Sequence, residues 1–192
     1  MELGAENRDT DVAALRRRPV LPEELPIPDL VAYVVDTHHA FTREELERAD
    51  GLIVQVARER GSRQPGFVEL VHVFESMRVD LLVHLHKEEH ILFSHLVALD
   101  AAKAENRPRP KSAFSSVRYP VQVMYAEHVG HGHGLDRLRT LTREFAPPEG
   151  ASGSHRSLFD CLRDLEADLR LHVALENHVL FPRALDLEAS FG

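Results

Sequence analysis

The sequence predicts an all-α fold, an up-down-up-down four-helix bundle, and three observations predict it. Four long segments, roughly 28–60, 66–105, 115–145 and 155–188, carry apolar residues at steps of three and four, the period of a helix with one buried face. Three polar, Pro- or Gly-bearing breaks separate them: Gly61-Ser-Arg-Gln-Pro-Gly66, Asn106-Arg-Pro-Arg-Pro-Lys-Ser112 and Ala146-Pro-Pro-Glu-Gly-Ala-Ser-Gly-Ser154. Such clusters punctuate regular structure, and short breaks between long helices favour antiparallel neighbours. Alternating β-branched runs, the mark of half-buried strands, are few.

The elements follow in order. Residues 1–26 hold Pro19, Pro22 and Pro26 and read as an irregular N-terminal arm; their Arg16-Arg-Arg18 run is short and solvated. The bundle is assigned to 27–188. In the first helix Pro28 fits the opening turn, where a missing N–H costs nothing, and the core stripe runs Val31, Val35, His39, Thr42, Leu46, Ala49, Ile53. The second runs Leu70, Phe74, Met77, Leu81 and then, at the same step, His84, Glu88 and Ile91. The third runs Val117, Val121, Met124, His128, His131, Leu135, Leu138, with Gly130-His-Gly-His-Gly134 expected to weaken it locally and thin the wall there. The fourth takes Ser154 as its expected N-cap, then Leu158, Leu162, Leu165, Leu169, His172, Glu176 and Val179.

Composition bounds the function. A chain of 192 residues with 43% apolar and 28% charged residues is long enough for one domain with a substantial core. A net charge of −8 argues against nucleic acid or an anionic membrane surface as partner. Met1 to Asp11 is polar, with no apolar core of a signal peptide, and no apolar run approaches a membrane span, so a bacterial-type cytoplasm is the expected location. Cys161, expected in the core, is the only cysteine, which excludes an intrachain disulfide or a thiolate-held cluster within one chain.

The chemistry is concentrated in a phrase that occurs twice. HLHKEEHILF, from His84 to Phe93, recurs 88 positions later as HVALENHVLF, from His172 to Phe181. Each copy keeps a His and a Glu four residues apart, one turn along a helix face. Both pairs interrupt an apolar stripe and so point inward, where imidazoles and carboxylates are costly unless paired or metal-bound. The offset is wider than the phrase, because His39 and His128 stand 89 positions apart. The chain therefore reads as two copies of one helical hairpin about a pseudo-twofold axis. His39, His84, Glu88, His128, His172 and Glu176 converge as candidate ligands of a dinuclear site, two His per metal and both Glu bridging. Imidazole and carboxylate donors without thiolate suit iron or manganese. Six side chains leave positions open for water, an oxo bridge, dioxygen or nitric oxide.

A single such pair is more simply a helix-surface contact worth about 0.2–0.5 kcal/mol; two in matching phrases on apolar stripes argue against that. The remaining His are placed elsewhere. His38 shares a stripe with Glu45 and Arg48 and is expected to face outward. His86, His90, His95, His155 and His178 are assigned to the surface or to supporting positions. His131 lies one turn beyond His128, with three roles open: a fifth His ligand, a donor behind the ligands, or a lining residue. Glu127 is expected to be exposed or to line a channel, and Glu89 to be separated from Glu88 by its position on the helix.

HLHKEEHILF, the MYAEH segment ending at His128 and HVALENHVLFPRAL resemble the hemerythrin-like (HHE) domain, most closely that of bacterial iron–sulfur cluster repair proteins, over about Ile27 to Leu185. The resemblance implies a non-haem di-iron centre held by His39, His84, Glu88, His128, His172 and Glu176. It further implies a role in supplying iron to damaged iron–sulfur proteins under nitrosative or oxidative stress, with dioxygen, nitric oxide or peroxide as small ligands. Full-length members carry a short cysteine-bearing N-terminal domain, whereas residues 1–26 contain no cysteine. Ser94 stands where the family usually has Pro, and His131 where it has a small residue. The alternative from another class is a module that binds or senses dioxygen or nitric oxide. A ferritin-like oxidase is weaker still, since that architecture needs two Glu-x-x-His pairs and Glu69-x-x-His72 is the one at hand.

Overall fold

The computed structural model describes residues 25–60 and 65–191. The arm assigned to 1–26, except Leu25 and Pro26, lies outside them with Arg16-Arg-Arg18, as does most of the first break. Four long helices fill the described residues. Helix α1 is α-helical over Ile27–Tyr33, π-helical over Val34–His39 and α-helical over Ala40–Arg60. Helix α2 runs as α-helix over Pro65–Lys87, π-helix over Glu88–Phe93 and α-helix over Ser94–Ala104. Helix α3 is Arg118–Leu141, unbroken through its three glycines. Helix α4 is α-helical over Gly153–Leu175, π-helical over Glu176–Leu180 and α-helical over Phe181–Ala189. None is long and apolar enough to cross a membrane.

Contacts that advance along one helix retreat along its neighbour, so successive helices are antiparallel. On α1 and α4, His39 meets His172, Glu45 meets Cys161 and Glu59 meets Ser154. On α2 and α3, Lys87 meets Glu127, Met77 meets Gly134 and Glu69 meets Arg137. The closest packing is α1 on α4 and α2 on α3.

The core is divided in two. One apolar body gathers Leu46, Phe74, Leu81, Leu138, Leu158, Leu162 and Leu169 with their neighbours; the other gathers Leu30, Val34, Leu92, Phe93, Leu96, Val121, Leu180 and Phe181. Between them the helices carry buried His39, His84, Glu88, His128, His172 and Glu176. Cys161 is fully buried in the first body, where loss of hydration pushes its thiol pKa far up, with the carboxylate of Glu45 adding to the effect. Such a thiol is inert.

The π-helical segments correct the sequence stripes. A π turn holds an extra residue, so every position beyond it shifts by one. Ile91 and Val179, expected on the core face, are displaced from it; Ile91 is 47% exposed, and Leu92 and Leu180 are buried instead. The same slip in α1 buries Val34 in place of Val35 and turns His38 inward beside His39. His95 joins the shifted stripe and is buried edge-on against Phe114, away from the centre. His155 is likewise buried, against Phe159. At the start of α4 the N-cap is Ser152, whose hydroxyl accepts from the His155 N–H at 3.2 Å; Ser154 instead donates to Glu59. Ser152 has the extended backbone that a cap requires, and Ser154 is already helical.

The N-terminus of α3 is capped across the bundle by Glu188 from the end of α4. Its carboxylate accepts from the Val117 N–H at 2.9 Å and the Ser116 hydroxyl at 2.6 Å, and pairs with Arg109. Burial opposes its ionisation, but these donors outweigh burial and lower its pKa. A lowered folded-state value means that the stabilisation is complete above the unfolded carboxyl pKa, about 4.3, and is lost as pH falls through the folded value. Glu188→Gln should therefore cost about 1–2 kcal/mol at neutral pH, the scale of a lost cap. The difference from the parent should shrink in urea titrations carried below that range. An equal penalty at all pH values would contradict the charged cap.

Candidate metal centre

At mid-height of the bundle the six predicted residues come together from all four helices. His39 and Glu176 are 0% exposed, as is Glu88; His84 and His172 are 1% and His128 5% exposed. Two four-residue groups share both carboxylates: His39, Glu88, His172 and Glu176, and His84, Glu88, His128 and Glu176. Each carboxylate is divided between them. Glu88 Oε2 lies 3.3 Å from His39 Nε2 while its Oε1 lies 3.3 Å from His84 Nε2. Glu176 Oε1 lies 2.9 Å from His172 Nε2 while its Oε2 lies 3.2 Å from His128 Nε2. The imidazole nitrogens are as close: His39 Nε2 to His172 Nε2 and His84 Nε2 to His128 Nε2 are each 3.1 Å.

These separations suit donors gathered around cations. Adjacent donors on one ion with bonds of about 2.1 Å stand about 3.0 Å apart. All four oxygens of Glu88 and Glu176 are buried without a conventional hydrogen-bond donor, a costly state unless positive charge meets them. The same demand appears in the titration behaviour. Burial by itself disfavours a charged His39, but Glu176 and Glu88 outweigh it and raise its pKa to about 9. His84 is raised against burial by Glu88 and Glu127. Glu176 is held well below the usual carboxylate range despite burial, by His172, His128 and His39. The donor set fits metal ions.

The rings are oriented from behind. His39 Nδ1–H donates to Glu89 Oε1 at 2.7 Å, His84 Nδ1–H to Glu127 Oε2 at 2.9 Å and His128 Nδ1–H to Asn177 Oδ1 at 2.9 Å. A proton held at Nδ1 leaves the Nε2 lone pair aimed at the centre. Glu89 is itself held by Arg43 at 2.8 Å, and Glu127 by Lys87. His172 is set differently: His38 stacks on it with ring centroids 5.5 Å apart and planes 4° apart, and Asp168 anchors His38 Nδ1 at 2.9 Å. Phe93 stacks on His39 and Phe181 on His128.

The sequence stripes missed these supports. On those stripes Glu89 falls off the line of Glu88, and His38 falls on an outward line with Glu45 and Arg48. The repeat held the signal. Glu89 and Asn177 each follow a shared Glu, and each orients the lone His of its own half. His38 and Glu127 each precede a lone His, and each touches the paired His of the other half. Glu89, Asn177 and His38 lie within the π turns, whose extra residue brings them within reach; Glu127 stands on unbroken α-helix and reaches His84 across the α2–α3 packing. Loss of an orienting carboxylate typically costs ten- to a hundredfold in metal affinity, so Glu89→Ala should weaken binding by about that factor. Competition with a chromophoric chelator measures it, and an unchanged affinity would contradict the orienting role.

His131 is buried edge-on against His84, with ring centroids 4.7 Å apart. Burial, followed by the neighbouring His84 and His128, drives its pKa down to about 3. It lines a cleft of about 470 Å³ between α2 and α3 with Asp80, Lys87, Glu127, Gly130 and Gly134. Gly130 has open space where a Cβ would stand, and a Cβ at Gly134 would lie 3.4 Å from the Met77 side chain. The glycines thus thin the wall without breaking the helix.

The hemerythrin HHE cation binding domain matches this chain over residues 30–184. The chain belongs to that family. Relatives of the HHE protein include the iron-sulfur cluster repair protein YtfE of Yersinia pestis (strain Pestoides F) and that of Yersinia pseudotuberculosis serotype O:1b (strain IP 31758). Each is 29% identical over 188 residues, covering 96% of this chain and 79% of the relative. The family match spans all three π segments and every one of the six converging residues.

Proposed function

We propose that the protein holds two iron ions, His39 and His172 on one, His84 and His128 on the other, with Glu88 and Glu176 shared. It acts in the cytoplasm in the repair of damaged iron–sulfur proteins, supplying iron under nitrosative or oxidative stress. The observation that carries the centre is the division of each carboxylate, one oxygen toward each pair of imidazoles. Oxygen and imidazole donors without thiolate favour iron or manganese over structural zinc. Bound iron would supply Lewis-acid and one-electron chemistry toward nitric oxide, dioxygen or peroxide. The chain's own part is to fix the Nε2 lone pairs through Glu89, Glu127 and Asn177 and to exclude bulk water with the apolar bodies above and below. The repair reading is supported by the similarity to the Yersinia iron-sulfur cluster repair proteins.

Metal analysis with an optical spectrum tests the centre: two irons per chain are expected, and one zinc or none would overturn it. Repair is tested by incubating iron-loaded protein anaerobically with a purified, nitric-oxide-damaged iron–sulfur enzyme. Recovery of that enzyme's activity is expected, and no recovery from fully loaded protein would reject iron donation.

A second reading, reversible binding or sensing of dioxygen or nitric oxide, is favoured by His131, which sits between the cleft and His84. A spectrum that converts on adding the gas and reverts on removing it would support this reading.

A further inference from the structure

The turn of α2 that sends His84 and Glu88 into the bundle sends His86 and His90 out of it. Both are exposed. They are four residues apart, and side chains at that spacing meet on one helix face. Their ring centroids are 4.3 Å apart and their planes tilted by 42°. Two imidazoles bound in cis to one ion, with metal–nitrogen bonds of about 2.0–2.1 Å, have centroids about 4.5 Å apart. The two rings already stand near chelating separation on one helix.

The surroundings define what would bind. Among the described residues no side chain hydrogen-bonds to either ring. The charges next to the pair in sequence are engaged elsewhere, Glu89 with His39 and Arg43 and Lys87 with Glu127, and Lys111 lines a surface pocket with His90. Val83 and Ile91, close to the pair in sequence, are themselves exposed apolar residues. The donor set is therefore two imidazole nitrogens and no carboxylate, which disfavours hard ions such as magnesium or calcium and suits late divalent transition metals. We propose that His86 and His90 form a surface site for one such ion, nickel, copper or zinc, with the remaining positions open to solvent. It is independent of the interior centre: the interior donors combine carboxylates with imidazoles and are sealed from solvent, whereas this pair is imidazole alone and freely accessible.

The test uses the full chain without an affinity tag, its interior metal already loaded and measured, titrated with nickel by equilibrium dialysis. One additional nickel per chain is expected. The second imidazole binds intramolecularly, at high effective concentration, so His86→Gln and His90→Gln should each weaken nickel binding by at least about tenfold. Iron content and the interior absorption spectrum should not change in either variant. Absence of nickel binding would overturn the proposal. So would unchanged affinity in both variants, which would assign the ion to another exposed imidazole such as His133 or His178. Half an ion per chain with dimer formation would overturn chelation within one chain, and parallel loss of interior iron would overturn independence. Circular dichroism of both variants checks that the helix is retained.

Discussion

Glu176→Gln should abolish occupancy of both metal positions while leaving the bundle folded. One oxygen of Glu176 faces His172 and the other His128, so a single amide removes an anionic donor from each half. The substitution keeps the shape of the side chain and deletes its charge. A shared anionic ligand is worth more than an orienting group, whose loss already costs ten- to a hundredfold. We expect affinity to fall by at least about a hundredfold at both positions, with iron per chain dropping from two toward zero under chelator challenge. Helicity should persist, because the two apolar bodies do not depend on this residue. Retention of one tightly held iron would show that the two halves do not share the carboxylate.

Phe181→Ala should give the largest loss of stability, about 3–5 kcal/mol, the usual range for deleting a buried Phe. The ring is 0% exposed in the apolar body that contains Leu30, Phe93 and Leu180, stacks on His128 at 5.9 Å and meets Tyr125 edge-on at 5.5 Å. In a chain of this size each kcal/mol shifts Tm by about 2–4 °C, so a fall of about 6–20 °C is expected by calorimetry. The cavity also frees the face of His128, so the metal in the His84/His128 half should exchange faster than that in the His39/His172 half. Phe93→Ala, at the matching place in the first phrase and stacked on His39, should reverse that order. If both variants lose metal evenly, the aromatic rings support the fold and not the individual ligands.

The positions of these residues were legible to different degrees. Steps of three and four placed Leu81, His84 and Glu88 on one line, as they did Leu169, His172 and Glu176. The offset between the phrases then drew in His39 and His128. That reading works because, up to Lys87 and Leu175, α2 and α4 are ordinary α-helices and the periodicity holds. It fails beyond them. Ile91 matches the template yet is exposed, and Val179 only packs on the edge of the core, since the helix changes to i→i+5 hydrogen bonding at Glu88 and Glu176. His38 fails for the same reason in α1. A π turn is a backbone choice, and the residues within it carry no distinctive composition that would announce it.

What the sequence determined alone is the class of fold, the number of helices and which polar residues interrupt their apolar faces, because these follow from local periodicity and from the turn chemistry of Pro and Gly. The tertiary structure decided which neighbours stand behind those residues. Glu89, Glu127, Asn177 and His38 act on rings 43 to 134 positions away in the chain, and helical periodicity does not say which residues of one helix face those of another. The roles of Glu89, Asn177 and His38 come from the extra residue in three π turns, and that of Glu127, on the unbroken α3, from the packing of α2 on α3. Together these set each Nδ1, or each ring face, against a partner from another helix.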